Sequence, residues 1–185
     1  MAPDIVPTAS RPLHPASESG LSSDALDPRG FMDPRYTCDL DNSSPEIRWH
    51  LTETGATLPL VKGFALIADD LDGPKTAESP LYVHWLVYNI PANIRHLPAG
   101  IPAQETLPNG IRQGINSLGK LGYTGPCPPM RGGAHQYRFR LFLLRQQPDM
   151  PPRMTCMQLL AEIEPQIISS RELVCRYART LARAG

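Results

Sequence analysis

The chain has 185 residues, 41% of them hydrophobic, enough for one domain with a buried core. Its 18 Lys plus Arg balance 18 Asp plus Glu, so no net field recruits nucleic acid or an anionic membrane surface. Its 21 prolines exclude a mainly helical protein and suit a loop-rich β fold, and no apolar run nears the ~20 residues that cross a bilayer.

Residues 1–28 are rich in Pro, Ser and Ala and short of apolar anchors, with neither a basic n-region nor an apolar h-region. They are expected to form a flexible leader, with the folded domain spanning 29–185. Arg35-Tyr36-Thr37-Cys38 is expected to be a short strand, followed by a turn at Asp41-Asn42-Ser43-Ser44-Pro45. Ile47 to Leu51 alternates and predicts a strand. Leu60 to Ala68 is apolar and predicts a buried strand, with a loop from Asp69 to Pro80. Leu81 to Ile90 is the clearest strand, closed by Pro91.

From Pro91 to Pro129 the chain is rich in Gly, Pro and Asn and is expected to be a long irregular connection packed on the core. Tyr137 to Leu144 predicts another strand. Thr155 is placed as a helix N-cap, with Leu159, Leu160, Ile163, Ile167 and Ile168 at helical spacing and Pro165 kinking or dividing the pattern. Leu173 to Tyr177 is a short final strand or a second helix. Strands first and one helix late predict a mainly β protein, an antiparallel β-sandwich with a C-terminal helix. The four cysteines (Cys38, Cys127, Cys156, Cys175) show no CxxC spacing. They are expected to be free thiols in a cytoplasmic protein. Arg171, Arg176, Arg179 and Arg183 make the C-terminus locally basic, which is expected to be a solvated face.

Three runs carry chemistry: Asp70-Leu71-Asp72-Gly73-Pro74, His84 to Pro91, and Tyr123 to Pro129 with His135-Gln136-Tyr137-Arg138-Phe139. Each histidine starts a strand beside a Gly/Pro loop. Two His, one or two Asp and a Tyr would make a polar pocket at one end of a sheet. Strand alternation would put His84 toward that pocket and Trp85 into the core on the other face. Imidazole N–H groups suit an anion, and an Asp suits the task of orienting a His. A zinc site is disfavoured by the absence of HExxH-type spacing. A Cys127–His135 nucleophile pair is disfavoured by the two prolines flanking Cys127.

Taken in order, these runs resemble the phosphatidylethanolamine-binding protein family, also called the Raf-kinase-inhibitor-like family. Asp70 to Pro74 resembles its Asp-Pro-Asp-Ala-Pro motif. His84-Trp85 with Asn89-Ile90-Pro91, Tyr123 to Pro129, and His135 to Phe139 are similar to three more. Arg35 to Cys38, Ser44-Pro45, Trp49, Gly114 and Asn116 resemble bacterial members, and the match runs from about residue 30 to residue 180. The resemblance implies a β-sandwich with a small anion-binding cavity lined by Asp70, Tyr82, His84, Gly125, Cys127, Pro129, His135 and Tyr137. It implies binding of phosphate, acetate or a phospholipid head group, with a regulatory or inhibitory role through a kinase or protease partner. A homodimer is compatible with it. It implies no general catalytic activity, no cofactor and no metal; the alternatives are a hydrolase using the His/Asp pocket and an inhibitor acting through a surface loop. Leu71 and Gly73, Arg131, Gln136 and Gln166 depart from the family pattern. The first pair and Arg131 bear on ligand preference rather than on fold.

Overall fold

The computed structural model describes residues 20–51, 58–77 and 79–179. Among these residues, eight strands form two sheets, antiparallel throughout. The small sheet is ordered β1 (Leu21–Ser22), β2 (Ile47–Trp49), β5 (His96–Leu97). The large sheet is ordered β6 (Arg112–Gln113), β4 (Tyr82–Pro91), β3 (Gly63–Asp70), β7 (His135–Leu144), β8 (Ile167–Tyr177). One α-helix, α1 (Cys156–Ile163), lies between β7 and β8.

The large sheet is covered on both faces. Its inner face packs Phe64, Leu66, Trp85, Val87, Phe139 and Leu141 against Leu21, Ile47, Trp49 and Leu97 of the small sheet. Its outer face packs Ala65, Ile67, Leu86, Tyr88 and Phe142 against Met150, Met154 and the helix residues Leu159 and Ile163. A strand buried on both sides needs no polar alternation, which is why all eight residues of β3 are buried.

Two bulges shape the β3–β4 pair. Ala68 lies opposite Trp85 and Asp69 opposite Val83, so β4 holds one extra residue, His84. Phe64 lies opposite Ile90 and Leu66 opposite Val87, giving a second extra residue, with Asn89 at φ 55°. An extra residue breaks strict alternation.

Several expectations are corrected. Residues 34–36 form a 3₁₀ turn rather than a strand, because Asp33 caps it through the Arg35 N–H and Pro34 opens it. The strand expected at 60–68 starts at Gly63 and runs to Asp70, so Asp69 and Asp70 belong to it instead of to the loop. The helix ends before Pro165; Ile167 and Ile168 begin β8, and Leu173 to Tyr177 is its end. Thr155 does cap α1, in a capping box with Gln158. The connection 91–129 contains two short strands, β5 and β6.

Residues 20–28 are not leader. Leu21 and Ala25 are buried, and β1 pairs with β2. Residues 1–19 lie outside the described residues, as does Arg183. Arg179 pairs with Asp39 at 2.8 Å, and Arg176 donates to the Arg29 carbonyl and covers the Phe31 ring. These two arginines hold the C-terminal segment to the body.

Cys38 and Cys127 form a disulfide, with Cα atoms 5.4 Å apart, while Cys156 and Cys175 are buried thiols. The expectation of four free thiols is corrected, since the 3₁₀ turn brings Cys38 against the 123–129 loop. The cytoplasmic expectation rested on reduced cysteines, and that argument falls with the disulfide.

Candidate functional site

At the end of the large sheet, three strands place one row of side chains on the inner face. Asp70 of β3 lies opposite Tyr82 of β4 and Tyr137 of β7. His135 stands two residues before Tyr137 and so shares its face. The bulge turns His84 to the same face. Its ring meets Tyr82 and Tyr137 edge-to-face, with centroids 5.5 and 5.3 Å apart, and His135 stacks on Tyr137 at 6.3 Å. Trp85 also belongs to the inner-face core. The expectation that His84 and Trp85 face opposite sides is therefore corrected: the extra residue puts both inward.

Each polar group then has a definable state. Asp70 is 4% exposed. Its Oδ1 accepts the Asp72 N–H at 2.9 Å, an Asx turn, and its Oδ2 accepts from His135 Nδ1 at 2.9 Å. Asp72 accepts the Gln136 N–H at 2.8 Å, and the Leu71 N–H donates to the Gln136 carbonyl. The 70–72 turn is thus tied to the start of β7 through the backbone of Gln136, whatever side chain stands there.

His84 is 5% exposed, and its Nδ1 donates to the Thr124 carbonyl at 2.6 Å. The Thr124 N–H donates back to the His84 carbonyl at 3.0 Å. Burial lowers the His84 pKa, partly opposed by the Thr124 carbonyl. The ring is therefore neutral near pH 7, with its lone pair on Nε2, and Nε2 is buried without a partner. The Tyr137 hydroxyl is also buried and makes no hydrogen bond of acceptable geometry. Burial, then the nearby Asp70 charge, raises its pKa. Buried polar atoms are nearly always satisfied, so two orphans in one cluster mark a place for a ligand or ordered water.

Behind His84 the 123–127 loop is held from outside. The Tyr123 hydroxyl donates to the Tyr36 carbonyl at 2.7 Å, and the Cys38 N–H donates to the Pro126 carbonyl at 3.1 Å. The Gly125 N–H donates to Asn42 Oδ1 at 2.7 Å. A Cβ on Gly125 would strike the Tyr36 carbonyl and sit 2.8 Å from the Thr37 Cα. Glycine is required there by this close backbone approach. Asn116 completes the support, donating to Thr124 Oγ1 at 3.0 Å and to the Gly122 carbonyl.

The structure thus gathers Asp70, Tyr82, His84, His135 and Tyr137, with Gly125 packed behind His84. Cys127 and Pro129 stand apart: both are exposed, the Cys127 sulfur is bonded to Cys38, and Pro129 accepts the Gly132 N–H in a turn. Sequence reasoning missed Thr124, whose carbonyl sets the His84 tautomer. Its place in the loop after Tyr123 was visible, but a backbone carbonyl carries no residue signature. Among the described residues no group of three or more His, Cys, Asp or Glu is disposed to hold a metal, and no helix is long and apolar enough to cross a membrane.

A family model described as phosphatidylethanolamine-binding protein matches residues 22–178. A UPF0098 protein of Methanothermobacter thermautotrophicus is 37% identical over 159 residues, covering 86% of this chain and 98% of its own. A UPF0098 protein of Aquifex aeolicus is 35% identical over 145 residues, covering 78% and 79%. Among solved structures, the putative phosphatidylethanolamine-binding protein homologue CT736 of Chlamydia trachomatis superposes with a TM-score of 0.71 at 28% identity, over 86% of this chain and 96% of that one. E. coli YbcL, described as a new member of the mammalian family, gives 0.72 at 25% identity, over 85% and 96%. With the family model matching residues 22–178 and relatives at 37% and 35% identity covering most of the chain, the chain belongs to the phosphatidylethanolamine-binding protein family.

Proposed function

We infer that the chain binds a small oxyanion, a phosphate or carboxylate that is either free or borne on a lipid head group, at the Asp70–His84–His135–Tyr137 cluster. The observation that carries this reading is the pair of buried, unpartnered polar atoms, His84 Nε2 and the Tyr137 hydroxyl, on one face beside the Asp70–His135 pair. Binding rather than catalysis is favoured because the one nucleophile candidate near the loop, Cys127, has its sulfur in a disulfide. A regulatory or inhibitory role through a protein partner is consistent with a binding module whose ligand alters its surface.

Calorimetry with methyl phosphate tests the reading. Saturable binding by the intact chain is expected, weakened at least tenfold by Tyr137→Phe. The substitution keeps the ring and removes only the donor. Binding weaker than about 10 mM, under about 3 kcal/mol, would end the proposal.

A further inference from the structure

We propose that this site selects an oxyanion that still carries a proton: a phosphate monoester as its monoanion, ahead of the dianion and ahead of a sulfate ester. The inference rests on the ligand-binding reading above and deepens it.

The Thr124 carbonyl oxygen can only accept a hydrogen bond. At 2.6 Å from it, His84 Nδ1 must carry hydrogen. Burial disfavours a second proton on the same ring. Nε2 is then an enclosed lone pair with no donor beside it. A ligand atom meeting Nε2 must bring a hydrogen of its own. An oxyanion with every oxygen bare would set lone pair against lone pair, and a buried acceptor left unmatched weakens binding.

The remaining groups fit the same chemistry. The hydroxyl of buried Tyr137, beside the Asp70 carboxylate, can turn its hydrogen to an unprotonated ligand oxygen. His135 has its Nδ1 on Asp70, which leaves Nε2 as its second contact point. The buried Asp70 carboxylate opposes each further negative charge brought to the cluster. An enclosed acceptor at His84 Nε2 beside further contact points for bare oxygens describes a site for a group that carries one P–OH among its oxygens. A dianion lacks the hydrogen and doubles the charge. A sulfate monoester has the right charge and lacks the hydrogen.

Protein groups also titrate here. Asp70 and Asp72 come from β3 and its turn, Tyr82 from β4, His135 and Tyr137 from β7, and Cys175 from β8 beside Tyr137. Asp69 lies on the opposite face, paired with Arg138. A pH trend for one ligand therefore mixes protein and ligand protons. A matched pair of ligands separates them.

Methyl phosphate loses its last proton near pH 6, by analogy with other phosphate monoesters. Methyl sulfate has the same shape and one charge, with no proton to lose. Affinities of both for the wild-type chain are measured by calorimetry at pH 5 and pH 8. At pH 5 methyl phosphate is expected to bind at least tenfold tighter than methyl sulfate. That ratio should fall by about tenfold or more at pH 8, as the monoanion is depleted. A ratio near one at both values, or a ratio rising with pH, overturns the proton requirement while leaving ligand binding intact. Absence of binding by either ester at either pH removes the binding reading itself. A second readout needs no variant: ¹⁵N shifts of the His84 ring should report hydrogen on Nδ1 and a lone pair on Nε2. Hydrogen on Nε2 in the unliganded protein would overturn the proposal.

Discussion

Removing the Cys38–Cys127 bond, by Cys38→Ser with Cys127→Ser, should lower stability substantially without altering the core. The two residues are separated by 89 positions, so the closed loop takes in β2 through β6. In the chain-entropy account, opening a loop of that length releases about 4.6 kcal/mol of denatured-state freedom at 25 °C; native bridges more often measure about 2–4. For a domain of this size each kcal/mol shifts Tm by roughly 2–4 °C, so a fall of about 4–16 °C is expected. The assay is thermal denaturation of the oxidised chain, the chain with a dithiol reductant, and the double variant, the last two agreeing within about 2 °C. A thiol count supports it. The oxidised chain should yield two thiols only after unfolding, because burial pushes Cys156 up to about 11 and Cys175 up to about 12. Four reactive thiols in denaturant, or a Tm unchanged on reduction, would refute the reasoning.

Four further outcomes follow from the geometry. Trp85→Ala should cost about 3–5 kcal/mol in chemical denaturation by leaving a core cavity. His84→Ala should also destabilise, by about 1–3 kcal/mol, since it strands the buried Thr124 carbonyl; a His84→Ala chain as stable as wild type would place that ring in solvent. Asp69→Ala should cost about 3–5 kcal/mol, because the Asp69 side chain is 1% exposed and takes two bonds from Arg138, at 3.1 and 2.8 Å; a loss below about 1 kcal/mol would show the pair to be dispensable. The lowered His84 pKa means the unfolded chain binds the extra proton first, so its contribution is complete above about pH 6.5 and declines as pH falls toward the folded value. Denaturation midpoints at pH 5 and pH 7.5 should differ less in His84→Gln than in wild type, and an equal difference would assign the acid slope to other groups.

The parts of this fold legible beforehand were those whose signal is local. Pro91 closes β4, and Thr155 with Gln158 three residues on starts α1. What escaped was decided by pairing between distant segments. Nothing in Tyr82-Val83-His84-Trp85 announces an extra residue; the bulge arises where β4 meets Ala68 and Asp69. Cysteine spacing cannot select a partner, and the bond depends on how the 33–38 turn lies against the loop. Leu21 anchors a two-residue strand, too short for any period to show. Ile167 and Ile168 kept helical spacing past Pro165 only by coincidence. That an Asp would orient a His was readable from side-chain chemistry, but which His it meets depends on strand register, and the Thr124 contact belongs to the main chain.

The neighbouring aspartates of β3 act as a test of alignment during folding. Asp69 projects outward to Arg138, and Asp70 projects inward to His135. A slip of one residue against β7 would exchange their faces. It would press Asp70 among Ile67, Val83 and Leu86, away from its imidazole, and part Asp69 from its guanidinium. Two buried charges would then be stranded together, at several kcal/mol each. The apolar residues of β3 would tolerate such a slip, being buried on either side; the two carboxylates would not.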